Sequence, residues 1–285
     1  MSLSPDLISR IVRMALDEDA PWGDITSETL IPADALVNAQ LVAREDGVLC
    51  GEDIFEAAML LCDPAIVVDF AVADAEHFTA GQTLASITGP ARGVLRGERV
   101  ALNFTQRLSG IATMTAQYVA HTAGTKTRIV DTRKTTPGLR QFERYAVRCG
   151  GGGNHRFSLS DAVMAKDNHL AIVAQHGSLS LTEALLAARK RLPHTTHLEV
   201  EVDRADQIEP VLAAGVDTIM LDNFSTAAMR DAVVQIGGRA LVEASGGITL
   251  GRIREIAETG VDLISVGALT HSVRALDLGL DIAVF

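Results

Sequence analysis

The sequence has few aromatic residues, few cysteines and no long apolar run. Aromatic residues make up 4% of its 285 residues, and the three cysteines, Cys50, Cys62 and Cys149, show no C-x-x-C spacing. An odd number of dispersed cysteines is typical of a reducing compartment, so we expect a cytoplasmic protein with buried thiols. No apolar run approaches the ~20 residues of a membrane-spanning helix, and the N-terminus lacks a signal peptide's basic start and apolar core.

An overall positive charge is also lacking, since the formal net charge is −11. This charge argues against a nucleic-acid surface, and the most basic span carries no interleaved aromatic residues that would stack on bases. The motifs GxxxxGK[ST] and GxGxxG are both absent, which removes support for nucleoside triphosphate and dinucleotide ligands. The sequence therefore predicts neither a nucleic-acid partner nor a membrane partner.

A local excess of cations lies between Asp131 and His169, interrupted by four consecutive glycines. The cations are Arg133, Lys134, Arg140, Arg144, Arg148, His155, Arg156 and Lys166. Three of these arginines lie four residues apart and predict the solvated face of a helix that begins at Pro137. The others follow apolar runs or the glycines, where arginine forks match carboxylate and phosphate geometry. This pattern predicts a pocket for an anionic ligand.

The first third of the chain does not alternate strictly between strand and helix, so we expect a separate α+β unit. Hydrophobic periodicity predicts three helices and three strands in this part of the chain. They are helices at 5–19 and 52–62, strands at 37–46, 65–74 and 83–88, and a long helix from 94 to 123 that is interrupted at Ser109-Gly110.

After Gly124, short apolar runs that end in a polar residue alternate with segments of helical period. The predicted strands are 127–130, 162–165, 197–200, 217–221, 240–242 and 262–266, and the predicted helices are 179–191, 204–214, 225–236 and 250–259. Such alternation indicates a parallel sheet, and at least six units favour a barrel or near-barrel over an open sheet. The carboxyl ends of barrel strands build the active site.

Carboxylates follow two middle strands of this predicted barrel. Glu201 and Asp222 are each the first strongly acidic residue at or after a strand end. One interpretation is structural, with Asp222 capping a helix and Glu201 on a solvated edge. The other is a pair of oxygen ligands, direct or through water, for a Mg²⁺ ion that also contacts substrate phosphates.

Glycine turns follow the last two predicted strands. They are Ser245-Gly246-Gly247 and the segment from Gly267 to His271. Backbone N–H groups after the last strands of many barrels bind phosphate, and glycine allows the close approach that this requires. Two such turns predict a phosphate site.

These residues stand in motifs that resemble the quinolinate phosphoribosyltransferase family. The motifs are EDAPWGDITSETL near the start, RGERVALNFTQRLSGIAT at 96–113, DTRKTTPGLR, GGGGNHR, AKDNH, LEVEVD, LDNF, EASGGI and VGALTHS. The resemblance spans nearly the whole chain. It implies an N-terminal α/β sandwich domain at 1–111 and an incomplete, seven-stranded α/β barrel at 112–272. Residues from about 273 to 285 are then expected to pack with the N-terminal domain.

The resemblance also implies an activity. The enzyme would be a pentosyltransferase of NAD biosynthesis that joins quinolinate to phosphoribosyl pyrophosphate, with decarboxylation, to give nicotinate mononucleotide, pyrophosphate and CO2. It would use Mg²⁺ as a cofactor. It would form a homodimer in which Arg99 of one subunit reaches the active site of its neighbour.

The residues of the site follow motif by motif from the same resemblance. The residues expected to act in catalysis are Lys134, Lys166, Glu201 and Asp222, of which Glu201 and Asp222 also hold the magnesium. The residues expected to bind quinolinate, ribose or phosphate are Arg99, Thr132, Arg133, His155, Arg156, Lys166, Ser245, Gly246, Gly247, Gly267 and His271.

The sequence departs from the family pattern at a few positions. Arg144 stands where lysine is usual, Phe157 follows the His-Arg pair where a smaller apolar residue is common, and Ala165 replaces a larger aliphatic residue. Phe157 and Ala165 would reshape the wall of the acid pocket, so they bear on substrate selectivity.

Three other functions remain open. A relative from molybdenum operons shares the fold, although the intact Lys166-Asp167-Asn168-His169 argues against it. A non-catalytic protein that binds a phosphorylated sugar or a pyridine acid would show no magnesium-dependent turnover. An aldolase or isomerase would use Lys166 as a Schiff-base amine.

Overall fold

We describe a computed structural model, which covers residues 3–176 and 179–283. In chain order, the helices are α1 (Pro5–Asp19), α2 (Ile25–Leu30), α3 (Glu52–Cys62), α4 (Ala91–Ala120), α5 (Arg140–Cys149), α6 (Asp167–His176), α7 (Leu181–Arg189), α8 (Ile208–Leu212), α9 (Thr226–Ile236), α10 (Ile253–Ala257) and α11 (Ala268–His271). The strands are β1 (Leu36–Ala43), β2 (Gly47–Val48), β3 (Val67–Phe70), β4 (His77–Phe78), β5 (Thr83–Pro90), β6 (Arg128–Val130), β7 (Val163–Ala165), β8 (Leu198–Val202), β9 (Thr218–Asp222), β10 (Leu241–Ser245), β11 (Leu263–Ser265) and β12 (Leu278–Ala283).

The chain forms two compact units, and each is assembled from separate stretches of sequence. The first unit comprises 1–116, 135–151 and 269–285, and the second comprises 117–134 and 152–268. The chain passes from the first unit to the second inside α4. The domain boundary predicted between 111 and 112 lies in the same helix, and as a domain boundary it stays a prediction.

The first unit is built on a four-stranded antiparallel sheet with the order β12-β1-β5-β3. In this sheet Gln40 of β1 pairs with Asp281 of β12. The amphipathic helix α1 buries Ile8, Val12 and Leu16 and packs against α3, as its hydrophobic period predicts. A two-stranded antiparallel pair, β2-β4, completes the strands of this unit.

The predicted interruption of the long helix at Ser109-Gly110 is wrong, because α4 runs unbroken from Ala91 to Ala120. The Ser109 hydroxyl accepts a hydrogen bond from the Cys50 N–H at 3.1 Å. It therefore bonds to a segment distant in sequence and does not end the helix. Gly110 lies against the main chain of Arg274, where a side chain would not fit. None of the helices in the described ranges is both long enough and apolar enough to cross a membrane.

Helix α5 belongs to the first unit, and a buried ion pair holds it there. The carboxylate of Glu143 is fully buried and accepts a hydrogen bond from Arg107 Nε at 3.0 Å. Arg107 Nη2 also donates to the Thr136 hydroxyl at 2.8 Å. The three regularly spaced arginines of this helix are therefore in a different unit from the other cations of the basic span.

The second unit contains a six-stranded sheet with the order β6-β11-β10-β9-β8-β7, in which every pair is parallel. The predicted α/β barrel fold is confirmed. Beside these six strands, an isolated parallel bridge joins Val130 to Gly153. There the Gly153 N–H donates to the Ile129 carbonyl at 2.8 Å, so the glycine run continues the sheet beyond β6.

Several elements were missed by the sequence patterns, and these are α2, β2, β4, α6, α11 and β12. The short helix α2 and the helix α6 lie where no helix was predicted, and β12 lies in a segment predicted only to pack with the first domain. Each is too short, or too weakly periodic, for its period to stand out from its neighbours.

Gly110 gives a test of this packing. A Cβ at this position would lie 2.2 Å from the Arg274 carbonyl oxygen, whereas a Cβ at Gly251 would meet no atom within 4 Å. We expect Gly110→Ala to lower the free energy of unfolding by about 3 kcal/mol, because an overpacked site must shift its backbone. Gly251→Ala should change it by no more than about 0.5 kcal/mol. Urea denaturation of both variants measures the difference, and equal stabilities would contradict the close approach.

Candidate active site

A cavity of about 570 Å³ opens at the carboxyl ends of the parallel strands of the second unit. Its lining comes from strand ends and from the loops that follow them. The lining residues are Thr132, Arg133, Lys134, His155, Arg156, Met164, Lys166, Glu201, Met220, Asp222, Asn223, Ser245, Gly246 and Ser265. The cavity thus combines five basic side chains with two carboxylates and two methionines.

Most of the residues expected in the site are brought together here. Ten of them line the cavity, and these are Thr132, Arg133, Lys134, His155, Arg156, Lys166, Glu201, Asp222, Ser245 and Gly246. Gly247 and Gly267 belong to the same unit but do not contribute to the lining. Arg99 and His271 are exposed residues of the first unit, so their expected roles stay predictions.

Lys166 forms an ion pair at the end of β7. Its Nζ lies 2.5 Å from Oε2 of Glu201, a residue that is only 8% exposed. The Lys166 amine and the Glu201 carboxylate are thus partners in the cavity.

Two arginines approach one another on the wall of the cavity. Burial lowers the pKa of Arg156, and the nearby positive charge of Arg133 lowers it further. The Arg156 side chain is oriented by its Nη1, which donates to the Ala162 carbonyl at 2.9 Å. Because two like charges repel, an anion bound between them would be stabilised by both.

The turn that follows the glycine run is fixed by a fully buried carboxylate. Asp131 accepts hydrogen bonds from the His155 N–H and from Asn154 Nδ2, both at 2.7 Å. These bonds set the direction of the chain where His155 and Arg156 enter the cavity. The first residue of the basic span therefore positions the site and is too deeply buried to face solvent.

His155 connects the cavity with the interior of the sheet. It also lines a second cavity, of about 440 Å³, whose other residues include those at the amino ends of the strands. Its Nε2 lies 3.2 Å from Glu199 Oε2 and 3.4 Å from Glu243 Oε2. The ring is therefore held between two buried acids on β8 and β10.

Opposing influences act on the charge of this ring. Burial would lower the pKa of His155, but the Glu199 and Glu243 carboxylates close to Nε2 outweigh it and raise the pKa to about 10. The Arg156 N–H donates to Nδ1 at 2.7 Å, which by itself favours the neutral ring. Two carboxylates prevail over one main-chain hydrogen bond, because attraction between charges is strong in a buried setting.

A tight turn follows β9, and a hydrogen bond links it to the end of β10. Asn223 adopts a left-handed conformation with φ 59°, and its N–H donates to the Ser245 carbonyl at 3.0 Å. A Cβ at Gly246 would lie 2.2 Å from Asn223 Oδ1. The glycine is therefore required by its neighbour Asn223, a reason that differs from the predicted approach of a phosphate.

Several residues of the interior went unpredicted, although a simple signal could have found them. Met164, Met220, Glu199 and Glu243 each lie two residues before a predicted residue, and Ser265 lies two before Gly267. In a strand, residues two apart face the same side. The positions two residues before the strand ends therefore include further cavity residues, Met164, Met220 and Ser265, and the buried acids Glu199 and Glu243.

Comparison with known families supports this assignment of the fold. The family of the quinolinate phosphoribosyl transferase N-terminal domain matches residues 24–109, and that of the quinolinate phosphoribosyl transferase C-terminal domain matches residues 111–281. Together these matches cover most of the chain.

Relatives of the same family align over nearly their full length. The nicotinate-nucleotide pyrophosphorylase [carboxylating] of Mycobacterium leprae is 44% identical over 280 residues, which covers 95% of each chain. A probable enzyme of this name from Bacillus subtilis is 42% identical, covering 93% of this chain and 90% of the relative. The solved structure of the Francisella tularensis nicotinate-nucleotide pyrophosphorylase superposes with a TM-score of 0.93 at 39% identity, covering 99% and 98% of the two chains.

The charge on His155 can be measured directly. Because its pKa is raised to about 10, we expect the ring to remain protonated at pH 8, where an ordinary histidine is neutral. A raised pKa stabilises the fold fully below about pH 6.5, and this contribution is lost as the pH rises through 10. NMR titration of the histidine-labelled protein, with His155→Gln to assign the signal, tests this. A midpoint below about pH 7 would contradict it.

Proposed function

The chain belongs to the quinolinate phosphoribosyltransferase family, and we propose that the cavity at the carboxyl ends of its parallel strands is the active site. The enzyme transfers the phosphoribosyl group of phosphoribosyl pyrophosphate to quinolinate in NAD biosynthesis. The products are nicotinate mononucleotide, pyrophosphate and CO2. The observation that carries the proposal is the grouping of five basic side chains and two carboxylates around one cavity.

The acid substrate is a planar ring with two carboxylates, and one side of the cavity suits it. Arg133, Arg156, His155 and Lys166 supply positive charge for the carboxylates. Met164 and Met220 line the same cavity and offer polarizable apolar surface to the ring. This division between polar groups and apolar wall fixes the orientation of the pyridine nitrogen.

The sugar-phosphate substrate uses the rest of the lining. Lys134 and Lys166 face its phosphate or ribose groups, and Thr132 lies beside them in the lining. The turn at Ser245 and Gly246 offers main-chain and hydroxyl groups to the 5′-phosphate. Gly247, Gly267 and His271 are carried over from the family pattern as further phosphate contacts.

Glu201 and Asp222 have the chemistry that a magnesium ion requires. Both carboxylates line the cavity from adjacent strands, and hard oxygen ligands are those that Mg²⁺ prefers. The substrates are anionic and are bound by basic side chains, so two carboxylates in the same cavity are suited to a metal ion. When bound, the ion would neutralise the charge of the departing pyrophosphate.

The transfer step needs charge stabilisation more than proton transfer. As the pyrophosphate leaves, the ribose acquires positive charge, which the carboxylate of Glu201 or Asp222 stabilises. The pyridine nitrogen attacks the anomeric carbon with its own lone pair, so no general base is required. The ring carboxylate next to the nitrogen then leaves as CO2, and the electron pair of the broken bond stays on that ring carbon, where the adjacent pyridinium charge stabilises it. The carbon then takes up a proton from water, while the basic side chains hold the ring in place.

The active unit is proposed to be a homodimer in which Arg99 completes the neighbour's site. Arg99 is an exposed residue of α4, so its guanidinium is accessible to a second copy of the chain. An additional arginine would match the two carboxylates of quinolinate. A cytoplasmic location is proposed because all three cysteines are free thiols.

Product release tests the whole proposal. With quinolinate and phosphoribosyl pyrophosphate, we expect equal amounts of CO2 and pyrophosphate, released only when Mg²⁺ is present. Arg133→Ala should lower kcat/KM at least about 100-fold, because it removes a charge-assisted contact to the acid. Arg148→Ala, an exposed arginine of α5, is the matched control and should retain activity. Substrate binding without turnover would favour the non-catalytic binding protein.

Mixing two inactive variants tests the shared site. In a heterodimer of Arg99→Ala and Arg133→Ala chains, one of the two sites has both arginines intact. Random reassociation makes half of the dimers heterodimers, so we expect activity to recover to about a quarter of the wild-type value. Activity that stays at the level of the separate variants would show that Arg99 acts within its own subunit or not at all.

A further inference from the structure

The proposed reaction leaves two buried acids of the second unit without a role. Glu199 and Glu243 flank Nε2 of His155, and the side chains of the three residues are 5%, 1% and 11% exposed, respectively. Glu199 lies two residues before Glu201 on β8, and Glu243 lies two residues before Ser245 on β10. The two acids therefore lie directly below the substrate cavity, which His155 lines.

Burial of the Glu199 and Glu243 carboxylates costs free energy of folding. Within the described part of the chain, Glu199 Oε1 and both carboxylate oxygens of Glu243 accept no hydrogen bond, although Glu243 Oε2 is within ion-pair distance of His155. Well-packed apolar residues in a protein interior are often as stable as buried charges, or more stable. Poorly satisfied acids beside a cavity are therefore expected to serve function more than stability.

The same three side chains could be considered as a metal site, since their ligand atoms lie within 4.8 Å of one another. A metal-bound histidine, however, normally donates its other ring N–H to a neighbouring acceptor. Here Nδ1 of His155 faces the Arg156 N–H at 2.7 Å, and this group is a donor rather than an acceptor. The arrangement favours a proton on Nε2 over a metal ion.

We propose that Glu199 and Glu243 are positioning residues for the acid substrate, holding His155 in the wall of the cavity where a quinolinate carboxylate binds. Asp131 holds the main chain of His155 from one side, and the two acids hold its ring from the other. This arrangement removes the rotamer freedom that the ring would otherwise lose on binding. The inference rests on the proposed function, because it takes quinolinate as the ligand of His155.

Substitutions of Glu243 test the proposal, because this residue is remote in sequence from the expected magnesium ligands. Glu243→Gln keeps the length and one acceptor, whereas Glu243→Leu removes both acceptors. We expect the KM and Kd for quinolinate to rise about 3-fold in the first variant and about 10-fold in the second. The Kd for phosphoribosyl pyrophosphate and kcat should stay within about 2-fold, since neither depends on the His155 ring in this proposal. Glu199→Leu should resemble Glu243→Leu.

The matched control is Asp217→Asn, which alters an acid at the amino end of β9 in the same unit. Asp217 accepts hydrogen bonds from Arg189 and from the Leu198 N–H, so its loss should lower stability. The ratio of the two substrate affinities should not change. In the ligand-free protein, the ¹⁵N signal of His155 Nε2 should shift in both Glu243 variants and remain unchanged in Asp217→Asn.

Several outcomes would overturn the inference. One is an unchanged quinolinate Kd in Glu243→Leu and Glu199→Leu, and another is equal weakening of both substrates. Stoichiometric binding of Zn²⁺ that Glu243→Gln abolishes would replace the proposal with a metal site. Wild-type protein that fails to bind quinolinate would overturn the proposed function as well, whereas wild-type binding that is insensitive to these variants would overturn the inference alone.

Discussion

The pleat of the parallel strands is the constraint on which the site depends. Residues two apart on a strand face the same side, and parallel neighbours bring their carboxyl ends to one edge. On β8 this rule stacks Glu201 above Glu199, and on β10 it stacks Ser245 above Glu243. The substrate cavity and the acids beneath it are thus two layers of one repeating geometry, and a change of register would disrupt both.

The two layers differ in their balance of positive and negative side chains. The upper layer gathers basic side chains with Glu201 and Asp222, which suits two anionic substrates and a divalent cation. The lower layer reverses the balance, with His155 between two acids. His155 belongs to both layers, so it links the charge of the substrate pocket to the interior of the sheet.

Much of the fold and of the site could be predicted from the sequence, because local residue patterns determine them. The apolar runs and the polar residues that end them placed Lys166, Glu201 and Asp222 around one cavity. Other features depend on contacts distant in sequence. The pairing of Arg107 with Glu143 assigns α5 to the first unit, and no local period encodes it. The lower acids were missed because the strand ends alone were considered.

The pairing of β1 with β12 has a consequence for biosynthesis. Gln40 is made early, yet its partner Asp281 lies beyond all the strands of the second unit. One edge of the first sheet therefore stays open while the ribosome makes the intervening chain, and an open edge is a template for pairing with other chains. The nascent protein consequently has a period of exposure to aggregation that ends only when β12 emerges, and chaperones that shield strand edges would act in that interval.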